Sequence, residues 1–380
     1  MKFKALTVMI TASLLTACGG GGSETSKETP PVTPPVVTLT KEQAMTQLLE
    51  AQADHYILPA YSALVDEADK LDAASISFCA YSSPSQDELA VLKSAWLDAS
   101  KAWQFAKAVK MGPESEAFRH YRMQFWPDNN NAVSRGVASL LAAQVIDANA
   151  VASLQDGAQG LPALELLIFN TDEENALLIA QNKEDRCLAV MAIAANVKAI
   201  ATEILTGWQQ QTTGFVNDFK NGTGDYDSKQ AVLEDFVTNW FELIEVIKDN
   251  KLNDVKGTLL PGYPEKAEAH YSLSSLENIK VNLAALKAAY LAGDGYGFDE
   301  YLNDIHQNTS VNEKILAYFN ELETLTNTID KPLSQAVTIQ ENRNALSPLI
   351  TKIEEFRLYL STDFIQLTQL NPNFNSNDGD

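Results

Sequence analysis

The chain has 380 residues, with 50 aspartates and glutamates against 28 lysines and arginines, for a formal net charge of −22 at pH 7. A surface of that sign repels nucleic acid and anionic lipid headgroups, which excludes a nucleic-acid partner. It tolerates cations or cationic partners and also serves plain solubility.

Met1-Lys2-Phe3-Lys4 is a short basic start, and Ala5 to Leu15 is an apolar run broken only by small polar residues. Such a run is shorter than the roughly 20 residues a bilayer-spanning helix needs, but it suits a secretory signal peptide over residues 1–17. Leu15-Thr16-Ala17-Cys18 resembles a bacterial lipobox. The resemblance implies cleavage before Cys18 and lipidation of that cysteine, and several acyl chains together anchor a protein firmly to a membrane. Residues 18–39 then read as a tether, in which glycines keep the chain flexible and Pro30, Pro31, Pro34 and Pro35 extend it. Gly19 stands where an aspartate would retain a lipoprotein at the inner membrane. The expected location is therefore the cell envelope, on the outer membrane facing the periplasm. Cys79 and Cys187 are the remaining cysteines; an even pair in an exported chain suggests one disulfide, two separate buried thiols being the other arrangement.

From Thr40 onward the pattern is helical. Thr40-x-x-Gln43, Ser85-x-x-Glu88, Asp227-x-x-Gln230, Ser274-x-x-Glu277 and Ser310-x-x-Glu313 have the form of capping boxes or close variants. Leu89, Leu92, Trp96, Ala99, Trp103 and Ala106 make one apolar helical stripe, expected to stop at Met111-Gly112-Pro113. Val232, Phe236, Trp240, Leu243, Ile244 and Ile247 make a second, and Leu276, Ile279, Leu283, Leu286 and Tyr290 a third, stopped by Gly293. No convincing run of alternating β-branched residues stands out. The predicted fold class is all-α, with helices packed as bundles. The length after the tether exceeds one small bundle, so two helical-bundle domains are expected, at 40–215 and 225–372. Their seam falls in the turn-rich stretch from Thr212 to Asp227.

Chemistry is sparse. His55, His120, His270 and His306 are scattered, with no His-Glu-x-x-His pair, and no Gly-x-Ser-x-Gly occurs. The densest polar cluster is Glu116 to Gly136, where Arg119, Arg122 and Arg135 fall together with His120, Trp126 and Asp128; the alternative is a solvated loop between helices. The stretch "QGLPALELLIFN", Gln159 to Asn170, carries a single charge, Glu165. Pro162 is welcome at a helix's first position, which puts Glu165 near the first turn, where the helix dipole is worth about 0.3–1 kcal/mol. An exposed Glu165 needs nothing more. A buried one needs an arginine, several donors or a cation, because an unpaired buried ion costs several kcal/mol.

"GLPALELL" resembles the Gly-x-His-x-x-Glu signature of the imelysin-like family, which is filed among metallopeptidases. Gly160 and Glu165 match its ends, and Pro162 stands in place of the histidine. Ala95 to Pro113, Phe125 to Gly136, Arg186 to Val197, His270 to Leu286 and the C-terminal "NFNSNDGD" are also similar to family segments, closest to its predicted-lipoprotein branch. The resemblance implies two helical bundles related by duplication, with the motif near a groove between them. It further implies a role in bacterial iron uptake, beside iron-uptake proteins of the envelope, with iron as the possible cofactor or cargo. A metallopeptidase is the alternative, but without the histidine Glu165 is left as the lone metal ligand of the motif. An envelope interaction module with no small ligand is the third reading.

Carried over residue by residue, Glu165 is the motif carboxylate, Gly160 shapes the turn and Pro162 starts the helix. Arg119, Trp126, Asp128 and Arg135 match the family's Trp-Pro-Asp neighbourhood; Tyr271, Ser272, Ser275 and Asn278 match its Ser-x-x-Ser-x-x-Asn helix start. Both segments are expected to face Glu165, with Arg119 or Arg135 compensating its charge. An arginine there would favour a small polar or carboxylate-bearing ligand, chelated iron included, over a bare cation.

Overall fold

A computed structural model describes residues 39–210 and 213–373. The expected signal peptide and nearly all of the tether, Cys18 included, lie outside them, as does the C-terminal "NFNSNDGD" except for its first residue. Among the described residues every regular element is a helix. The first, α1 (Lys41–Ala51), runs through a π-helical turn at Gln52–Ile57 into α2 (Leu58–Ala80). Next come α3 (Gln86–Ala106), the short helices α4 (Arg119–Met123), α5 (Ala132–Leu141), α6 (Ala148–Ala152) and α7 (Leu161–Phe169), and the long α8 (Lys183–Gln209). The second half opens with α9 (Phe215–Asn221) and α10 (Lys229–Glu245), and a π-helical stretch at Val246–Asn253 leads into α11 (Asp254–Lys256). It continues with α12 (Ser275–Tyr290), α13 (Phe298–His306), α14 (Thr309–Asn327), α15 (Leu333–Ala336), α16 (Gln340–Tyr359) and, past another π turn at Leu360–Phe364, α17 (Ile365–Thr368).

The apolar stripes decide the packing. Every residue of the three predicted stripes is buried, and burying a large apolar side chain contributes about 1.5–3 kcal/mol. In the first half α2 lies against α3 and α8, and α7 bridges α3 and α8; in the second, α14 packs between α12 and α16. Helix α3 also packs on α12, and α1 on α10 and α13, so the described residues form one compact unit. By length and composition α8 could cross a membrane, but Ala189, Ile193, Val197, Ile200, Ile204 and Trp208 bury one face of it in the core. Cys79, near the end of α2, is bonded to Cys187, near the start of α8, across a Cα–Cα distance of 5.6 Å.

Several local expectations shift. The capping boxes at Thr40 and Ser85 form as read, but Ser228 rather than Asp227 caps α10, Asn308 rather than Ser310 caps α14, and Ser274 precedes α12 without a side-chain cap. Helix α3 ends at Ala106, short of Gly112, because the chain turns there to bring Lys107 and Glu114 inward. Gly112 takes a φ of +51°, and a Cβ on it would lie 2.5 Å from the Phe215 ring. The stretch between 212 and 227 is not a bare linker. It carries α9, whose Phe215 and Phe219 pack edge-on against Trp208, with Phe219 reaching Phe236 of α10.

Candidate functional site

Helix α7 sets the site. It begins at Leu161, one residue before the proline, so Pro162 occupies the second helical position and Glu165 falls in the second turn. Glu165 is therefore past the positions that the helix dipole stabilises best, contrary to the reading from Pro162. Gly160, which precedes the helix, is required by contact rather than by φ: a Cβ there would sit 2.2 Å from the Met123 carbonyl oxygen and 2.4 Å from that of Arg122. This close approach seats α7 on the end of α4.

Glu165 is buried, with 4 % of its surface exposed. One of its oxygens accepts a 2.7 Å hydrogen bond from the Ser272 backbone N–H. Burial pushes its carboxyl up to about 7, against the opposing donors of Ser272 and the Tyr271 backbone and with a small addition from the charge of Glu268. Among the described residues no lysine or arginine lies within ion-pair distance of it. The expected arginine partners are elsewhere. Arg119 pairs with Glu203 at 3.0 Å and donates to the Pro113 carbonyl, while Arg135 donates to the Asn130 carbonyl. Each meets an acceptor close to its own backbone or on α8 rather than Glu165.

Around Glu165 lies a cavity of about 390 Å³. Trp96 and Ser100 of α3, the segment from Gln124 to Ser134, Pro162 and Leu166 of α7, and Glu265 to Tyr271 from the second half line it. Of the predicted site residues, Trp126, Asp128 and Tyr271 reach this cavity, and Ser272 holds Glu165. Asp128 is also committed to structure, since its two oxygens accept from the backbone N–H groups of Ala132 and Val133 at 2.8 and 2.9 Å and so start α5. Ser275 lies behind the wall, donating to the Glu268 carbonyl. Ala269 and Leu273, with φ of +54° and +61°, bend the chain between Glu268 and Ser274.

The floor of the cavity is a buried polar network. Glu268, 2 % exposed, accepts from Lys251 at 2.7 Å, Asn278 at 2.9 Å, Gln124 at 3.0 Å and Gln104 at 3.3 Å. Lys251, 1 % exposed, also donates to Asn282 at 2.6 Å and Gln104 at 3.0 Å. Burial works against both charges. Even so, the lysines beside Glu268 hold its carboxyl below the usual range, while burial brings Lys251 down to about 8. At neutral pH this is a satisfied ion pair. Reading the sequence missed Glu268, Lys251, Gln104, Gln124 and the cavity-lining His270. Gln104, inside the apolar run of α3, was the available signal; Lys251 sits in a charged stretch that reads as solvated surface.

The structure thus defines an all-α protein whose two halves meet at a cavity, with a buried carboxylate on its wall from a short helix that has proline in its first turn. The imelysin family model (Peptidase_M75) matches residues 57–357, and the chain belongs to the imelysin family. Two solved structures are similar to it. An imelysin-like protein from Psychrobacter arcticum 273-4 has a TM-score of 0.73 at 20 % identity, covering 89 % of this chain and 100 % of that one. A protein described as an iron-regulated protein A precursor, from Parabacteroides distasonis ATCC 8503, has a TM-score of 0.67 at 16 % identity, covering 86 % and 97 %. At these identities the likeness is one of fold. No curated protein matches the sequence.

Proposed function

We propose that the protein is a binding or accessory component of iron acquisition in the cell envelope, and that the cavity at Glu165 takes an iron-bearing cation. The observation that carries this reading is Glu165 itself, a buried carboxylate facing a cavity with backbone donors but no cationic partner. An arginine there would have favoured an anionic chelate; its absence reverses that preference. Asp254 and Glu265 add acidic groups to the same lining.

A peptidase reading is less well supported. A catalytic zinc needs about three protein ligands, and among the described residues no three His, Cys, Asp or Glu side chains converge to hold a metal. A cargo cation that keeps part of its water shell makes no such demand. Anchoring through Cys18 belongs to the same proposal: Cys18→Ser is expected to move the protein from the membrane fraction to the soluble fraction of the envelope.

Anaerobic calorimetric titration of the full-length chain with ferrous iron, zinc and ferric citrate, in parallel with Glu165→Gln, tests the reading. Ferrous iron is expected to bind at micromolar concentration and to lose that binding in the variant, with ferric citrate silent. No heat from any of the three would make Glu165 a structural carboxylate and favour a protein partner instead.

A further inference from the structure

On the far side of Trp126 and Pro127 lies a second cavity, of about 450 Å³. That volume is within the roughly 300–1,000 Å³ typical of small-molecule sites. Lys107 and His120 are among the side chains that line it.

The Lys107 side chain is 8 % exposed. An ammonium has three donors. One goes to Gln124 Oε1 at 2.9 Å, and the nearest carboxylate, Glu268, is 3.9 Å away, beyond hydrogen-bond length. Donor capacity remains for a ligand. The acidic groups around the cavity have cations of their own: Glu242 pairs with Lys110 at 3.6 Å, Asp249 with Lys248 at 3.5 Å, and Glu245 with Arg357.

His120 is held by Glu114, a fully buried carboxylate that accepts from Nδ1 at 2.6 Å and also from the Tyr61 hydroxyl. With the proton on Nδ1, the neutral ring leaves Nε2 as an acceptor. Burial, reinforced by the charges of Lys107 and Lys110, holds the ring below its usual pKa in spite of Glu114, which keeps it neutral. Lys110 also lines the cavity but is paired with Glu242, so the cavity sets the cationic donor Lys107 beside the neutral acceptor His120.

We propose that this second cavity binds a small hydroxycarboxylate, its carboxylate accepting from Lys107 Nζ and its hydroxyl donating to His120 Nε2. A simple carboxylate satisfies only the lysine. Inorganic phosphate also carries a hydroxyl, but its larger negative charge at neutral pH meets the rim carboxylates Glu242, Glu245 and Asp249.

The test is histidine-selective ¹⁵N NMR of the full-length protein titrated with L-lactate, propionate and inorganic phosphate at neutral pH. His270, which lines the first cavity, serves as the internal reference among the four histidines. Lactate is expected to shift the His120 ring signals and leave His270 still, with propionate about tenfold weaker and phosphate silent. Lys107→Met, checked for a cooperative melt, is expected to abolish the lactate shift, whereas Glu165→Gln leaves it intact. The proposal is overturned if lactate shifts neither ring or moves His270 instead. It also fails if propionate or phosphate matches lactate, or if folded Lys107→Met binds lactate like the parent.

Discussion

At Glu165 burial and ionisation oppose each other, and pH reveals the balance. Unfolded, the carboxyl titrates near its ordinary value of about 4.3; folded, it titrates at about 7. Between those values the folded state binds the extra proton, so this group's contribution to stability is present at low pH and is lost as pH rises through 7. Between pH 5 and pH 8 the loss amounts to about 3 kcal/mol. Glu165→Gln keeps an acceptor for the Ser272 N–H without the charge. Denaturant titrations at pH 5 and pH 8 are expected to show the variant gaining about that much on the parent across the interval; parallel pH curves would mean that Glu165 is not desolvated. Gly160→Ala gives a second check, because its Cβ would meet two backbone carbonyls, and a loss of about 3 kcal/mol is expected. Glu165 and Gly160 were legible in the sequence: one charge in an apolar run, and a glycine two residues before a helix-starting proline signal. The partners of Glu165 were not, since a backbone N–H such as that of Ser272 is carried by every residue except proline and leaves no trace in composition.

Among the elements, the helices with strong stripes were readable. The periodicity of Leu89 to Ala106 follows from the burial of one face of α3, and each of those residues is buried. Caps were readable only where the local hydrogen bonds were the whole story, as at Ser85. At the start of α14 the side chain of Asn308 accepts from the Val311 N–H, so the helix begins two residues earlier than the Ser310 pattern suggested. The π-helical stretch at Val246–Asn253 had no sequence signature, yet it carries Lys251 to Glu268. Removing one member of that pair leaves a buried unpaired charge. Lys251→Met is expected to destabilise by about 3–5 kcal/mol, and Lys251→Met with Glu268→Gln by less than the sum; additivity in chemical denaturation would contradict the coupling. The disulfide joins α2 to α8 over a sequence separation of 108. Cys79→Ser with Cys187→Ser is expected to cost about 4 kcal/mol, measured as a shift in denaturation midpoint.

For the whole molecule, the excess of acidic residues, the all-helical composition and the family signature pointed to the fold and to the Glu165 region. They could not show that two cavities lie on either side of Trp126, because Lys107, His120 and Asn250 come together only when α12 packs on α3 and the two halves close. Nor could they show that Arg119 and Arg135 meet acceptors other than Glu165, which is what changes the expected ligand from an anion to a cation. If Glu165 is the group that receives the cation, binding must displace its proton, and at pH 7 a carboxyl titrating at about 7 is half protonated. Calorimetry of ferrous iron binding at pH 7, in two buffers of different ionisation enthalpy, counts that proton. We predict micromolar binding with a measurable release of protons, both abolished by Glu165→Gln. Binding that releases no proton, or that survives unchanged in the variant, would contradict the assignment of Glu165 as the ligand carboxylate.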